Sequence, residues 1–429
     1  MAGPSGCDTG AAAPLGRRRL LLQASAAGVA ATVLSAGTSR AQLSPGGGGG
    51  LVRWVSPRGT VEVLDDYPYW VARRYGYFGE LETTLDPGPM RADATVAQVE
   101  QLQADMGFPA PALLAQSIEA GSPLVSVWQM GAYDSFGFAF RAGAKPATPE
   151  GLTGRRILLG SLAWQPAADL RLAQLGIAPS SVTYVEAGAR WGEALARGEH
   201  GADAAALCWE GLRAQWQGQG LGLDYLTPRE FSRLPSGSFV VRRAELSDPS
   251  RFLVLDRYLR GWAMGLQFGH LNPAAAAQAV LDQFPALGSY LRPDVAIEAV
   301  TQIARTYRGP WERRQGWGWH DAGQWQLLLD LMQRHGQLAR RLAAEDVLTN
   351  GFVAGANAFD YARVATDAAA FPLAPAFGGP EPAAGPPPFA PAVEPPTASP
   401  AAGPATGAAP SPPTDPLAAA PPGPATSPP

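Results

Sequence analysis

Between Pro57 and Tyr67 the chain gathers Arg58, Glu62, Asp65, Asp66 and Tyr67 into one polar loop, the first stretch whose residue types could hold a ligand. Carboxylates accept hydrogen bonds from amines and ring N–H groups, and a neighbouring arginine supplies a fork of donors. The same loop also reads as a solvated turn with ordinary surface charges. Ser161-Leu162-Ala163-Trp164-Gln165 falls between a strand and a helix start, where free backbone N–H groups and the Ser161 hydroxyl could hold an anionic or carbonyl oxygen, or simply cap the helix. In Cys208-Trp209-Glu210 an indole could stack on a planar ligand while the carboxylate accepts from an amine; the plain alternative is a core aromatic beside a surface acid. With Phe108, which closes a short strand-like piece, the candidate ligand-binding set is Arg58, Asp65, Asp66, Tyr67, Phe108, Ser161, Trp164, Gln165, Trp209 and Glu210.

Catalytic and metal chemistry find less support. His200, His270, His320 and His335 are scattered, with no pair at metal-ligand spacing, so no metal is expected. A nucleophilic Cys208 would need a histidine and an orienting group, and a buried structural thiol is the commoner state. There is no Gly-x-Ser-x-Gly elbow and no phosphate-binding Walker loop. The expectation is therefore a binding protein without catalytic turnover and without a cofactor.

A formal net charge of −4 over 429 residues gives no basic face for a phosphate backbone, so a nucleic-acid partner is excluded. The N-terminus reads as an export signal over residues 1–41. Arg17-Arg18-Arg19 precedes Leu20-Leu21-Leu22 and a small-residue apolar run, and Ser39-Arg40-Ala41 supplies the cleavage pattern. The twin arginines resemble a twin-arginine signal, with the general secretory route as the alternative. No stretch reaches the roughly twenty apolar residues of a membrane span, so the mature chain is expected to be soluble in the periplasm. A glycine-rich linker (42–50) follows, and residues 371–429, almost wholly Pro, Ala, Gly, Ser and Thr, read as a disordered extension outside the fold.

About 320 residues remain, enough for two α/β units. Leu51–Val55 reads as a strand and the run after Pro68 as a helix closed by Gly76, so the polar loop lies at a strand's carboxyl end, where open α/β sheets bind ligands. The alternation continues through strands at 81–87, 104–108 and 124–130, giving the rhythm of a parallel sheet. Phe136–Arg141 reads as an exit strand, which puts the first part of lobe 1 at 51–143. Lobe 2 spans 144–236, with strands at 156–160, 182–185 and 204–208. A strand at 237–241 crosses back, and 237–370 returns to lobe 1 with helices from 249, 273, 293 and 324. Two crossings between two lobes make a hinged cleft.

These residues resemble a known family. Asp66-Tyr67-Pro68-Tyr69-Trp70-Val71-Ala72, Tyr75-Gly76-Tyr77-Phe78, Gly151-Leu152-Thr153-Gly154-Arg155-Arg156-Ile157, Leu175-Gly176, Ala194-Leu195-Ala196-Arg197-Gly198 and Ala202-Asp203-Ala204-Ala205 resemble periplasmic substrate-binding proteins for nitrate, sulfonates, taurine and thiamine-pyrimidine precursors. Leu348-Thr349-Asn350-Gly351-Phe352-Val353 and Asn357-Ala358-Phe359-Asp360 look like the end of the same family, so the resemblance runs from about Leu51 to Val364. It implies a type II periplasmic-binding-protein fold, a monomer, and delivery of a small-molecule ligand to the membrane permease and ATPase subunits of an ABC importer. The acidic loop 57–66 is longer than a sulfonate or nitrate binder would suggest. Its carboxylates, with the aromatics Trp164 and Trp209, favour a nitrogenous or pyrimidine-like ligand, with sulfonate, taurine or nitrate as the alternative. The pyrimidine synthases of thiamine biosynthesis share the fold, but their cysteine-rich cluster and metal-binding histidines are missing around Cys208.

Overall fold

The computed structural model describes residues 50–58, 60–88 and 94–379. The expected export signal, most of the glycine-rich linker and the tail beyond 379 lie outside the described residues. The described strands are β1 (Leu51–Val55), β2 (Glu82–Asp86), β3 (Met106–Gly107), β4 (Leu124–Gln129), β5 (Phe136–Arg141), β6 (Arg156–Leu159), β7 (Thr183–Glu186), β8 (Ala205–Trp209), β9 (Leu223–Leu226) and β10 (Ser238–Arg242). They form two five-stranded sheets, in the orders β2-β1-β3-β10-β4 and β7-β6-β8-β5-β9.

In each sheet one strand runs against its neighbours. β10 lies antiparallel between β3 and β4, and β5 lies antiparallel between β8 and β9. These are the strands that follow the two crossings, so each arrives from the opposite direction. Phe136–Arg141 was expected to close lobe 1, with lobe 2 starting at 144; instead it is a central strand of the second sheet, and lobe 2 begins before Phe136. Its central residues are buried on both faces, which is why the apolar run Phe-Gly-Phe-Ala-Phe could serve either sheet equally.

The carboxyl ends of β1, β3 and β4 share one edge of the first sheet. In the second, the carboxyl ends of β6, β7, β8 and β9 lie with the start of β5 at the edge facing it. The chain crosses between the two edges at 130–135 and at 227–237. Backbone N–H of Asp134 donates to Leu234 O at 2.9 Å, and Gly131 N–H donates to Ser236 Oγ at 2.7 Å, so the crossings are tied together.

Lobe 1 is held by the helix Pro249–Leu271, which starts at an Asp248 cap accepting from Ser250 and Arg251 N–H. Gly265 and Gly269 on this helix meet the first turn of the helix Tyr67–Arg74. A Cβ on Gly265 would come within 2.0 Å of Pro68 O, and one on Gly269 within 2.1 Å of the Tyr67 ring. The absent side chains let the two helices touch and fix the preceding loop at the sheet edge. Trp54, Phe239 and Trp262 pack beneath with ring centroids 4.8–5.6 Å apart.

Residues 371–379 are part of the fold, against the expectation that the chain beyond 370 contributes nothing. Phe371 is buried in the lobe 1 core, Ala374 N–H donates to Gln278 Oε1 at 2.9 Å, and Phe377 packs on the same cluster. One aromatic and one glutamine clamp anchor a segment that has no apolar periodicity to announce it.

Candidate functional site

The two edges meet at closely packed helices. Val295, on the helix Pro293–Arg308 of lobe 1, fills the space where Gly218 of the lobe 2 helix Glu210–Gly218 would carry a Cβ, and Gln302 Nε2 donates to Gln217 Oε1 at 3.2 Å. On the other side Leu170 of lobe 2 joins the lobe 1 cluster around Trp325 and Leu328. Between these contacts lie the expected ligand groups.

The acids are largely spoken for. Asp66 is buried and accepts from Arg58 at 2.5 Å; its carboxylate makes no cap bond to the helix that follows. Burial raises the Asp66 pKa, opposed by Arg58, while Asp66 and Asp65 outweigh the burial of Arg58 and hold its guanidinium above the ordinary value. Arg58 and Asp66 therefore form an ion pair, and the Asp66 carboxylate, expected to accept from a ligand, accepts from Arg58. Asp65 behaves differently. Its Oδ2 lies 3.3 Å from the position a Gly211 Cβ would take, so it reaches across to the first turn of the lobe 2 helix. Tyr67, expected to face the ligand, is a core residue: its ring is fully buried and stacks on Tyr307 at 6.2 Å. Phe108 is likewise packed between Trp54 and Phe239.

In lobe 2, Glu210 is buried and accepts from Arg213 Nε at 2.9 Å and Nη2 at 2.5 Å, so it too is paired. The expected clamp at 161–165 has an internal occupant: the Leu162 N–H donates to the Glu186 carboxylate at 2.9 Å. An anion at that turn would displace a side chain that already satisfies it. Ser161 and Gln165 are half-buried beside it. Trp164 and Trp209, by contrast, do lie together at the edge, ring centroids 6.3 Å apart and planes 27° from parallel.

Three residues outside the expected set complete the region. Arg314 donates to the carbonyls of Tyr307 (2.5 Å), Arg308 (3.2 Å) and Trp319 (3.4 Å), while its buried Nε has no hydrogen-bond partner. Burial pulls its pKa down to about 10, and the only opposing influence is Tyr133; no carboxylate accompanies it among the described residues. Tyr133 stands on the first crossing, held there because Gly309 lets the crossing approach; a Cβ on Gly309 would fall 2.1 Å from that of Ala132. Burial raises the Tyr133 pKa, with Arg229 and Arg314 opposing and Glu210 reinforcing, so charged groups of both lobes act on its hydroxyl. These residues are far apart in sequence and carry no spacing signal.

Cys208 is buried in β8, and burial pushes its thiol well above the usual range. His320 is fully buried between Ser126 Oγ (2.6 Å from Nε2) and Asn350 Oδ1 (2.9 Å from Nδ1), tying β4 to the C-terminal segment. Among the described residues no three His, Cys, Asp or Glu side chains are grouped to hold a metal, and no helix is long and apolar enough to cross a membrane.

The sequence profile of the NMT1/THI5 like family matches residues 65–276, from the Asp65 loop through lobe 2 to the second long helix. Over that segment, just under half of the chain, the sequence is similar to this family. No curated protein sequence matches the chain at a significant level. Among solved structures, the alkanesulfonate-binding protein SsuA from Xanthomonas axonopodis pv. citri bound to MOPS is similar at 13% identity, covering 70% of this chain and 98% of its own, with a TM-score of 0.50. A protein from Bordetella bronchiseptica RB50 is similar at 16% identity, covering 72% and 96%, also with a TM-score of 0.50. At such identities the likeness establishes the fold: this chain has the two-lobed type II periplasmic-binding-protein architecture.

Proposed function

We propose that the protein is the periplasmic solute-binding component of an ABC-type importer, that its ligand is a small anion, and that it binds without turnover. The observation that carries the anion reading is Arg314, a cation at the crossing between lobes with carbonyls around it and no carboxylate near. A guanidinium so placed favours an anion, because the low local dielectric strengthens their attraction and the unpartnered Nε gains an acceptor. Tyr133 and Arg229 add donors on the lobe 2 side. The acids that favoured a nitrogenous ligand lose most of their weight: Asp66 and Glu210 are each neutralised by an arginine, which leaves Asp65. A sulfonate, taurine or nitrate then suits the cleft better than a pyrimidine. The alkanesulfonate-binding neighbour supports that preference.

In this reading residues 1–41 direct export, the cleft closes about the 130–135 and 227–237 crossings, and the loaded monomer docks on the membrane permease and its ATPase. The ligand class is tested by calorimetry of the purified protein with sulfonates, taurine, nitrate, pyrimidines and amines. We expect saturable binding of a sulfonate or taurine, weakened at least about tenfold in Arg314→Lys, which keeps the charge but not the forked donors. Binding of a pyrimidine or amine alone, indifferent to Arg314→Lys and lost in Asp65→Ala, would reverse the assignment.

A further inference from the structure

At the cleft edge of lobe 2 the chain exposes aromatic surface that its own packing does not use. Trp164 is 45% exposed and its neighbour Leu162 46% exposed, on a single turn that flanks the cleft. Behind them stand Phe136, 5.6 Å from Trp164 between ring centroids, and Trp209. Trp209 is backed in turn by Trp191 at 6.0 Å, whose indole N–H is fixed on Leu207 O at 2.9 Å. One wall of the pair is thus anchored through the sheet, and the other is carried on the exposed turn.

The spacing of the pair is informative. A flat ring clasped between two indoles needs about 7 Å between them, twice the contact distance of about 3.5 Å between carbon atoms. Trp164 and Trp209 have ring centroids 6.3 Å apart and planes 27° from parallel, and they line one concavity with Phe136 and Trp191, so the exposed turn must move outward to admit a ring. Trp209 also lines a second concavity together with Ser135, Glu210, Arg213 and Tyr225, and the buried Tyr225 hydroxyl there has no hydrogen-bond partner. The wall therefore passes from aromatic to polar within one residue, toward the side where Glu210 faces Tyr133.

We infer that the solute is an aromatic anion of the arenesulfonate class, its ring held between Trp164 and Trp209 while its charged head is turned toward Tyr133 and Arg314. This rests on the anion reading above and adds the nature of the body attached to the anion. Alternation of an apolar face with a few polar anchors is how small-molecule sites fix orientation.

The test is calorimetric titration of the purified protein with benzenesulfonate, butanesulfonate and methanesulfonate, in wild type, Trp164→Ala and Trp164→Phe. Stacking on an aromatic side chain contributes on the order of tenfold or more in affinity. We expect benzenesulfonate to bind at least about tenfold tighter than both alkanesulfonates. Trp164→Ala should shrink that preference to about twofold without moving methanesulfonate, and Trp164→Phe should keep most of it. Circular dichroism and a thermal melt establish that the variants fold. A benzenesulfonate preference unchanged in Trp164→Ala, or no preference in wild type, overturns the ring slot and leaves the anion reading standing. Butanesulfonate binding as tightly as benzenesulfonate overturns the aromatic claim in favour of an apolar chain. If none of the three binds while nitrate does, the anion reading stands and this inference falls; if nitrate fails as well, both fall.

Discussion

Both lobes are rich in tryptophan, but the two sets do different things. In lobe 1 Trp54, Trp128, Trp262, Trp317 and Trp325 are fully buried under the helices that follow the second crossing. In lobe 2 Trp164 and Trp209 stand at the sheet edge that faces lobe 1, with Trp164 open to solvent. The difference follows from cover. Lobe 1 receives the long helix Pro249–Leu271 and the segment to 379, whereas the turn that carries Leu162 and Trp164 at the carboxyl edge of lobe 2 is left open to solvent. Aromatic surface left open at a rigid edge is a binding resource; the same residue type sealed under a helix is structural.

The comparison is sharpest in substitutions of matched chemistry. Trp262→Ala should cost about 3–5 kcal/mol, because it empties the space shared with Trp54, Tyr69 and Phe239. Urea unfolding would measure it, and a loss under about 1 kcal/mol would mean that the lobe 1 core is as tolerant as the cleft edge. At the boundary between the lobes, Asp134 and Arg171 form a buried two-pronged pair at 2.5 and 2.7 Å, so removing one partner strands the other. Asp134→Ala should cost about 3 kcal/mol or more and loosen the crossing, with faster amide exchange at 131–135. Unchanged exchange there would show that the pair serves lobe 2 alone.

A pH effect separates the sealed lobe from the open one. Burial pulls His320 down to about 4, with Asn350 opposing and Arg314 reinforcing. The unfolded imidazole takes up its proton near pH 6.5, before the folded one does, so lobe 1 loses stability as pH falls from about 6.5 to about 4. The loss should approach about 3 kcal/mol. Comparing unfolding free energies at pH 7 and pH 4 in wild type and His320→Gln isolates it from the carboxylates, and an equal pH slope in both would remove His320 as the cause.

How much of this was legible in the sequence depended on whether the signal was local. Strands at 51–55, 124–129 and 156–159 and helices from 249, 273 and 293 follow from apolar runs bounded by proline and glycine. The sheet that β5 joins does not, since a strand buried on both faces reads the same in either lobe. Glu210 and Arg213 lie three apart on one helix, a spacing that announces their pairing in advance. Arg58 and Asp66 pair through a loop whose path the sequence does not encode, and Tyr133 meets Arg314 only through the packing of Gly309 on the crossing. Local spacing therefore reveals the neutralisation of Glu210 but not that of Asp66.

The docked segment 371–379 offers a smaller effect within lobe 1. Truncation after Ala370 removes Phe371 and the backbone clamped by Gln278, at an expected cost of about 2 kcal/mol from the lost apolar burial. Truncation after Gly379 keeps both contacts and serves as the control. Equal thermal midpoints for the two would show that the docking adds nothing.

The smallest expected change is the counterpart of Trp262→Ala. Trp164 already meets solvent over almost half its surface, its indole packs only on Phe136 and Trp209 among ring contacts, and Leu162 beside it is equally open. Little water-free area is lost when it is shortened, and no cavity can form where solvent already reaches. Trp164→Ala should therefore shift unfolding free energy by no more than about 0.5 kcal/mol, measured in urea without ligand. A cost near that of Trp262→Ala would mean that the cleft edge is part of the lobe 2 core, and the contrast between a sealed and an open aromatic set would no longer hold.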